Sequence, residues 1–102
     1  MSAPAKMRLL PEYINAIREG NKTTTIRIGK HGVSTSELIF ESNSDSIKVN
    51  VLSVYYRKFN ELTETDAQRD GFDNLHELET ALYAFYPNIK PNTTFTVIKF
   101  KV

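Results

Sequence analysis

An α+β domain, with its strands curled into a small barrel and helices set beside it, is what this sequence predicts. Three observations carry that reading. Helical and strand periodicities alternate along the chain without the strand–helix–strand rhythm of a parallel sheet. The order is one helix, several strands, two helices and a closing strand. The chain has 102 residues, 40% hydrophobic and 25% charged, enough for one domain with a real core and too few for two.

The first helix is predicted over "LLPEYINAIREGNK". Leu10, Ile14 and Ile17 recur at helical spacing, Pro11 suits the first helical position, and Gly20 supplies the stop. "TTTIRI" then reads as a strand, because β-branched residues suit a pleated surface. "GKHGVSTS" is a loop, "ELIFES" a short strand and "NSDS" a turn. "IKVNVLSVYYRKF" is a long strand whose alternation of Ile47, Val49, Val51 and Ser53 loosens toward Tyr55. Thr63 and Asp66 imitate a capping box that opens a short helix ending at Gly71. In "DNLHELETALYAFYP" Asn74 caps a helix, Glu77 completes its box, and Leu75, Leu78, Leu82 and Phe85 line one face. In the terminal strand "TTFTVIKFKV", Phe95 and Val97 share one face while Ile98, Phe100 and Val102 share the other. That change of phase implies a bulge or burial on both sides. The whole chain, 1–102, forms a single domain, with residues 1–7 expected to be a flexible lead-in.

Composition removes several functions. There is no cysteine, hence no disulfide frame, thiolate metal site or cysteine nucleophile. His31 and His76 are distant in sequence and unsupported by a third such ligand, so no metal and no cofactor is expected. Thirteen basic against twelve acidic residues give a net charge of +1, with no basic stripe suited to a duplex. A small or single-stranded ligand stays open. "MSAPAKM" lacks the apolar centre of a signal peptide, and no run approaches the ~20 apolar residues of a membrane span. The expected location is the cytoplasm, with no membrane partner.

Two features look like chemistry. In "EGNKTTTIRIGK", strict alternation puts Thr23, Thr25 and Arg27 on one face and Lys22, Thr24 and Ile26 on the other, although Lys22 lies at the turn where alternation need not hold. A face of hydroxyls and a guanidinium is poor core and good ligand surface; the plain alternative is a polar edge strand that resists aggregation. Asp70, in "QRDGF", places an acid at a helix C-terminus, against the macrodipole. It is either a turn aspartate or a group that serves a ligand. The aromatics of "YYRK" and of the second long helix are read mainly as packing, although nucleobases stack on such faces.

Gly20, Lys22, Thr25 and Arg27 fit the G-x-K-x-x-T-x-R signature of ASCH domains, small β-barrels of the PUA-like superfamily. "LTETDAQRDGFDNLHELETALYAFYP" and "FTVIKF" resemble the family's helical segment and closing strand, so the likeness runs from about Leu10 to Val102. The chain departs from the pattern at Ser36-Glu37, where the family often has Gly-Asp. The resemblance implies binding of RNA or nucleosides in a cleft between barrel and helices. One compact branch hydrolyses N(4)-acetylcytidine to cytidine and acetate. Carried over by residue, its catalytic lysine, threonine and acid fall on Lys22, Thr25 and Asp70. Arg27, Thr23 and Phe72 are then expected to touch substrate. The implied partner is a small nucleoside, with single-stranded RNA the alternative; the competing functions are an RNA-binding module, a module that recognises a modified nucleoside, and a ribonuclease.

The chemistry accounts for those residue types. Amide cleavage needs a nucleophile, a base, a proton for the leaving nitrogen and support for the oxyanion. A lysine removes a hydroxyl proton only as the free amine, which burial and a nearby cation favour. An acid kept protonated in an apolar pocket can donate to the leaving amine. Paired with the lysine, it would instead hold that amine charged.

Overall fold

Residues 4–102 are described by the computed structural model. In chain order they form β1 (Ala5–Arg8), α1 (Pro11–Arg18), β2 (Thr24–Ile28), β3 (Glu37–Glu41), β4 (Ser46–Lys58), a 3₁₀ turn (Phe59–Glu61), α2 (Glu64–Arg69), α3 (Leu75–Phe85) and β5 (Thr94–Lys101). The strands make one sheet in the order β1-β3-β4-β5-β2, curled into a half-barrel. β1 lies parallel to β3 and every other neighbour is antiparallel.

β5 fixes the layering because it is buried on both faces. Phe95 and Val97 pack with Ile26, Ala67, Leu78 and Leu82 beneath α2 and α3. Ile98 and Phe100 point the other way, onto Ile17, Leu38, Phe40 and Val49. Each such side chain, fully buried, contributes roughly 1.5–3 kcal/mol, so the sheet is held by two cores that share a strand. The phase change in β5 is therefore double burial. The bulge lies across from it in β4, where Leu52 is the extra residue between Val51 and Ser53 and is 52% exposed.

Three expectations are corrected here. Residues 5–7, assigned to a flexible lead-in, belong to β1, whose register runs Ala5↔Leu38 to Arg8↔Glu41. Residues 1–3 lie outside the described residues. Thr23 is not part of the strand: β2 begins at Thr24. Glu77 does not close a box on Asn74; its carboxylate accepts from the Asp73 amide at 3.3 Å, while Asn74 alone accepts from the Glu77 amide at 2.9 Å. The Thr63–Asp66 box is present in both directions, with bonds of 3.2 and 2.9 Å. Among the described residues no helix is long and apolar enough to cross a membrane.

Candidate functional site

Two helix endings build the site. At the end of α1, Gly20 takes a positive φ of 81°, which only glycine adopts cheaply. Its amide donates to the Ile17 carbonyl and the Asn21 amide to Ala16, at 3.1 and 2.9 Å. These are the paired bonds of a Schellman ending. The motif repeats at the end of α2, where Gly71 has φ 97°, its amide donates to Gln68 at 3.1 Å, and the Phe72 amide donates to Ala67 at 2.9 Å. The two endings abut. A Cβ placed on Gly71 would stand 3.4 Å from the Lys22 Cβ.

The α1–β2 connection then satisfies the carbonyls that α2 leaves unpaired. The Thr23 amide and hydroxyl donate to the Arg69 carbonyl at 2.7 and 3.2 Å. The Lys22 ammonium donates to the Asp70 carbonyl at 3.1 Å and to Asp70 Oδ1 at 3.0 Å. Lys22 thus supplies the cation that the C-terminal end of α2 favours, and in doing so meets the acid held there. Both side chains are buried, Lys22 4% and Asp70 6% exposed.

Thr24, which alternation assigned away from the site, completes the pair. It is 1% exposed, and its hydroxyl donates to the same Asp70 Oδ1 at 3.0 Å. Among the described residues no hydrogen bond reaches Asp70 Oδ2, and no buried side-chain oxygen is left unsatisfied. Oδ2 is therefore not fully enclosed, and Asp70 is among the residues that line a cleft. Burial pushes the Asp70 carboxyl above its ordinary range, opposed by the Lys22 charge and by the hydrogen bonds from Lys22 and Thr24. Lys22 also sits over the Tyr13 ring, 5.2 Å from its centre, and Tyr13 meets Phe72 edge to face. Burial pushes the Tyr13 hydroxyl up, with the charges of Glu12 and Asp70 adding to it.

From β2, Thr25 and Arg27 enter the same space. Arg27 Nε donates to Thr25 Oγ1 at 3.2 Å, and its Nη2 donates to the Arg8 carbonyl at 2.8 Å. The guanidinium spans from one edge strand, β2, to the end of the other, β1. Burial holds its pKa below the usual value, against the raising effects of Tyr86 and Asp70. The result is a cleft of about 580 Å³, within the range of small-molecule sites. Lys22, Thr25, Asp70, Arg27 and Phe72 all line it. α3 gives one wall, with Leu78, Leu82 and Phe85; the Ser42–Ser44 turn and Arg8 give another. Phe85 is 50% exposed at this wall.

Thr23 is the expected site residue that stays out. Held to Arg69 at both its amide and its hydroxyl, it faces a separate hollow with Gly20 and Phe100. Counting alternation from Thr23 fails because the backbone there follows the helix ending and not the pleat. The residues that sequence reasoning passed over are Thr24, Tyr13, Arg8 and the Ser42–Ser44 turn. A buried acid needs donors, and the hydroxyl beside the lysine was a signal for Thr24. Nothing local marks Arg8 or the turn, because β1 and β3 bring them to the cleft by distant pairing.

By sequence the chain matches no family model and no curated relative. By shape it resembles solved proteins well. An ASCH domain from Lactobacillus crispatus superposes with a TM-score of 0.77 at 14% identity, covering 96% of this chain and 78% of that one. This chain has the ASCH fold. A variant of the ASCH protein of Zymomonas mobilis gives 0.72 at 17% identity, covering 97% and 68%. A protein of Enterococcus faecalis, from a domain family of unknown function, gives 0.75 at 17%, covering 100% and 81%. The expected curled sheet with flanking helices is thus the fold observed, and Gly20, Lys22, Thr25 and Arg27 sit where two helix endings and an edge strand converge.

Proposed function

We propose that the chain is a metal-independent amidohydrolase that removes the acyl group from N(4)-acetylcytidine and related N(4)-acylated cytosine nucleosides. The observation that carries this reading is the meeting of Lys22, Thr25 and Asp70 in one cleft, with Lys22 and Asp70 3.0 Å apart and Thr25 held by Arg27.

The pairing of Lys22 with Asp70, an obstacle when considered alone, supplies the acid and the base together. Closing the cleft on a neutral ligand removes water and disfavours two adjacent charges. Passing one proton from the ammonium to the carboxylate leaves a free amine and a carboxylic acid, with no net change in charge. The Lys22 amine then takes the Thr25 proton as Oγ1 attacks the acyl carbon. Arg27, already bonded to Oγ1, favours its anionic form and the oxyanion that follows. Asp70 gives its proton from Oδ2 to the departing N4, releasing cytidine and leaving an acyl ester on Thr25. The Lys22 ammonium returns a proton to Asp70. Water then attacks the ester with Lys22 as base, Asp70 reprotonates Oγ1, and the carboxylic acid departs. Phe72 and Tyr13 offer faces on which a pyrimidine can stack.

The test is direct. The purified protein is incubated with N(4)-acetylcytidine, with and without a chelator, and free cytidine is measured. The expected result is turnover that a chelator leaves unchanged and that Thr25→Ala and Lys22→Ala abolish. Full turnover in both variants removes these roles.

A second reading, a module that binds single-stranded RNA, draws support from cation–aromatic pairs at the end of β4. Arg57 lies 4.7 Å from the centre of the Tyr55 ring, and Lys30 lies 5.6 Å from that of Tyr56. Affinity for single-stranded RNA that falls steeply with salt, without hydrolysis, favours it; absence of binding removes it.

A further inference from the structure

The cleft carries a guanidinium, Arg8, that the proposed amide hydrolysis does not use. Lys22 is matched by Asp70, but among the described residues neither Arg8 nor Arg27 has a carboxylate within 4.0 Å. Arg27 bonds only to neutral oxygens, Thr25 Oγ1 and the Arg8 carbonyl. A largely desolvated guanidinium without a counter-ion is costly to keep, and the cost falls when an anion binds beside it. Arg8 uses one nitrogen, Nη2, on Asn43 Oδ1 at 2.6 Å, and its other donors remain free. Asn43 is flanked by Ser42 and Ser44, and all three line the cleft with Arg8 and Arg27. The Arg8 guanidinium and the Ser44 hydroxyl form a donor set beside Arg27, which reaches from Thr25 to the Arg8 carbonyl. The Ser42 hydroxyl donates to the Asp45 carbonyl at 3.5 Å, and the one acid lining the cleft, Asp70, is engaged by Lys22 and Thr24.

We propose that this end of the cleft is a phosphate subsite, and that the substrate is an N(4)-acylated cytidine 5′-monophosphate. A guanidinium grips a phosphate with two parallel N–H···O bonds, which suits the planar fork of Arg8. The amide chemistry takes place at Thr25, on the base, and the subsite holds the opposite end of the nucleotide. The identity of the base and the acyl group rests on the nucleoside reading; the anion subsite does not.

The experiment measures binding of three probes by calorimetry: cytidine, cytidine 5′-monophosphate and ribose 5-phosphate. The monophosphate is expected to bind about tenfold or more tightly than cytidine, the equivalent of one charge-assisted bond. The advantage is expected to shrink as salt rises. In Arg8→Gln the ratio falls toward one; that substitution removes the guanidinium and keeps the main-chain carbonyl that holds Arg27. Equal binding of cytidine and its monophosphate overturns the subsite and leaves the nucleoside reading standing. Binding of ribose 5-phosphate, lost in Arg8→Gln, with no binding of cytidine, supports the subsite and overturns the nucleoside reading. A short cytidine oligonucleotide with internal diesters alone, gaining as much as the monophosphate, overturns the choice of a terminal phosphate.

Discussion

Replacing Lys22 by methionine tests the buried pair most sharply, because it removes the charge and preserves most of the side-chain volume. Lys22 and Asp70 are 3.0 Å apart and both nearly inaccessible, so losing the ammonium leaves a carboxylate with one side-chain hydrogen bond, from the Thr24 hydroxyl, and the weaker influence of the Arg27 charge. Breaking a buried pair in this way costs about 3–5 kcal/mol. Lost with it is the Lys22 bond that caps the end of α2, included in that range. The cost depends on pH, because Asp70 can escape by taking a proton. In the native state burial holds the Asp70 proton more tightly than in the unfolded chain. The native state therefore binds more protons between the two pKa values, and stability falls as pH rises through that window. Removing Lys22, which opposes the shift, widens the window upward. Urea denaturation of wild type and Lys22→Met should show the full deficit near neutral pH and a smaller one toward about pH 4, below most of the window. The double variant Lys22→Met/Asp70→Asn, with no charge left to bury, should recover most of the loss and yet hydrolyse nothing. A deficit below about 1 kcal/mol at neutral pH, the size of a surface pair, or one that is the same at every pH, refutes the reasoning.

The remaining predictions concern the parts around that pair. Thr24→Val removes a donor from Asp70 Oδ1 and should make the carboxyl keep its proton to higher pH. The pH–rate profile should move up on the limb that Asp70 controls and return with Thr24→Ser; an unmoved profile denies Thr24 a positioning role. Gly71→Ala should cost about 1–2 kcal/mol by denaturation, because an L side chain at φ 97° is strained. The new Cβ at 3.4 Å from Lys22 makes only an ordinary contact. Gly71→Asn, which tolerates that region better, should lose less, and equal losses would point to the contact instead. Arg27→Lys keeps the charge but cannot bond Thr25 and the Arg8 carbonyl with one planar fork. It should lower kcat by about 10²-fold or more, the size of a lost oxyanion donor, and a change in KM alone contradicts the role.

The sequence made the local devices legible and the long-range ones obscure. Pro11, Gly20, Gly71, Asn74 and the Thr63–Asp66 box act within a few residues of themselves, and each does in the structure what its chemistry requires. The change of phase in the apolar residues of β5 left a bulge or burial on both faces open, and the structure shows burial on both faces, with the bulge in β4. β1 was not readable: four residues with two cations carry no periodic signal, and their strand is defined by pairing with β3 more than thirty positions away. Lys22, Thr25, Arg27, Asp70 and Phe72 line one cleft. Thr23 drops out because β2 begins only at Thr24, after the chain has closed the end of α2, while Thr24 keeps the side that alternation gave it and reaches Asp70 Oδ1 from there. The direct bond between Lys22 and Asp70 needed two glycine-ended helices to abut, which no single segment announces.

Everything in the catalytic proposal converges on the oxygen of Thr25. Rapid quenching during turnover of N(4)-acetylcytidine, followed by mass analysis of the peptide that carries Thr25, asks whether that oxygen ever bears the acyl group. An acetyl group on Thr25 that appears with the first release of cytidine and decays once substrate is spent is the predicted result. Sustained release of cytidine with that peptide unmodified throughout, or undiminished in Thr25→Ala, would contradict it.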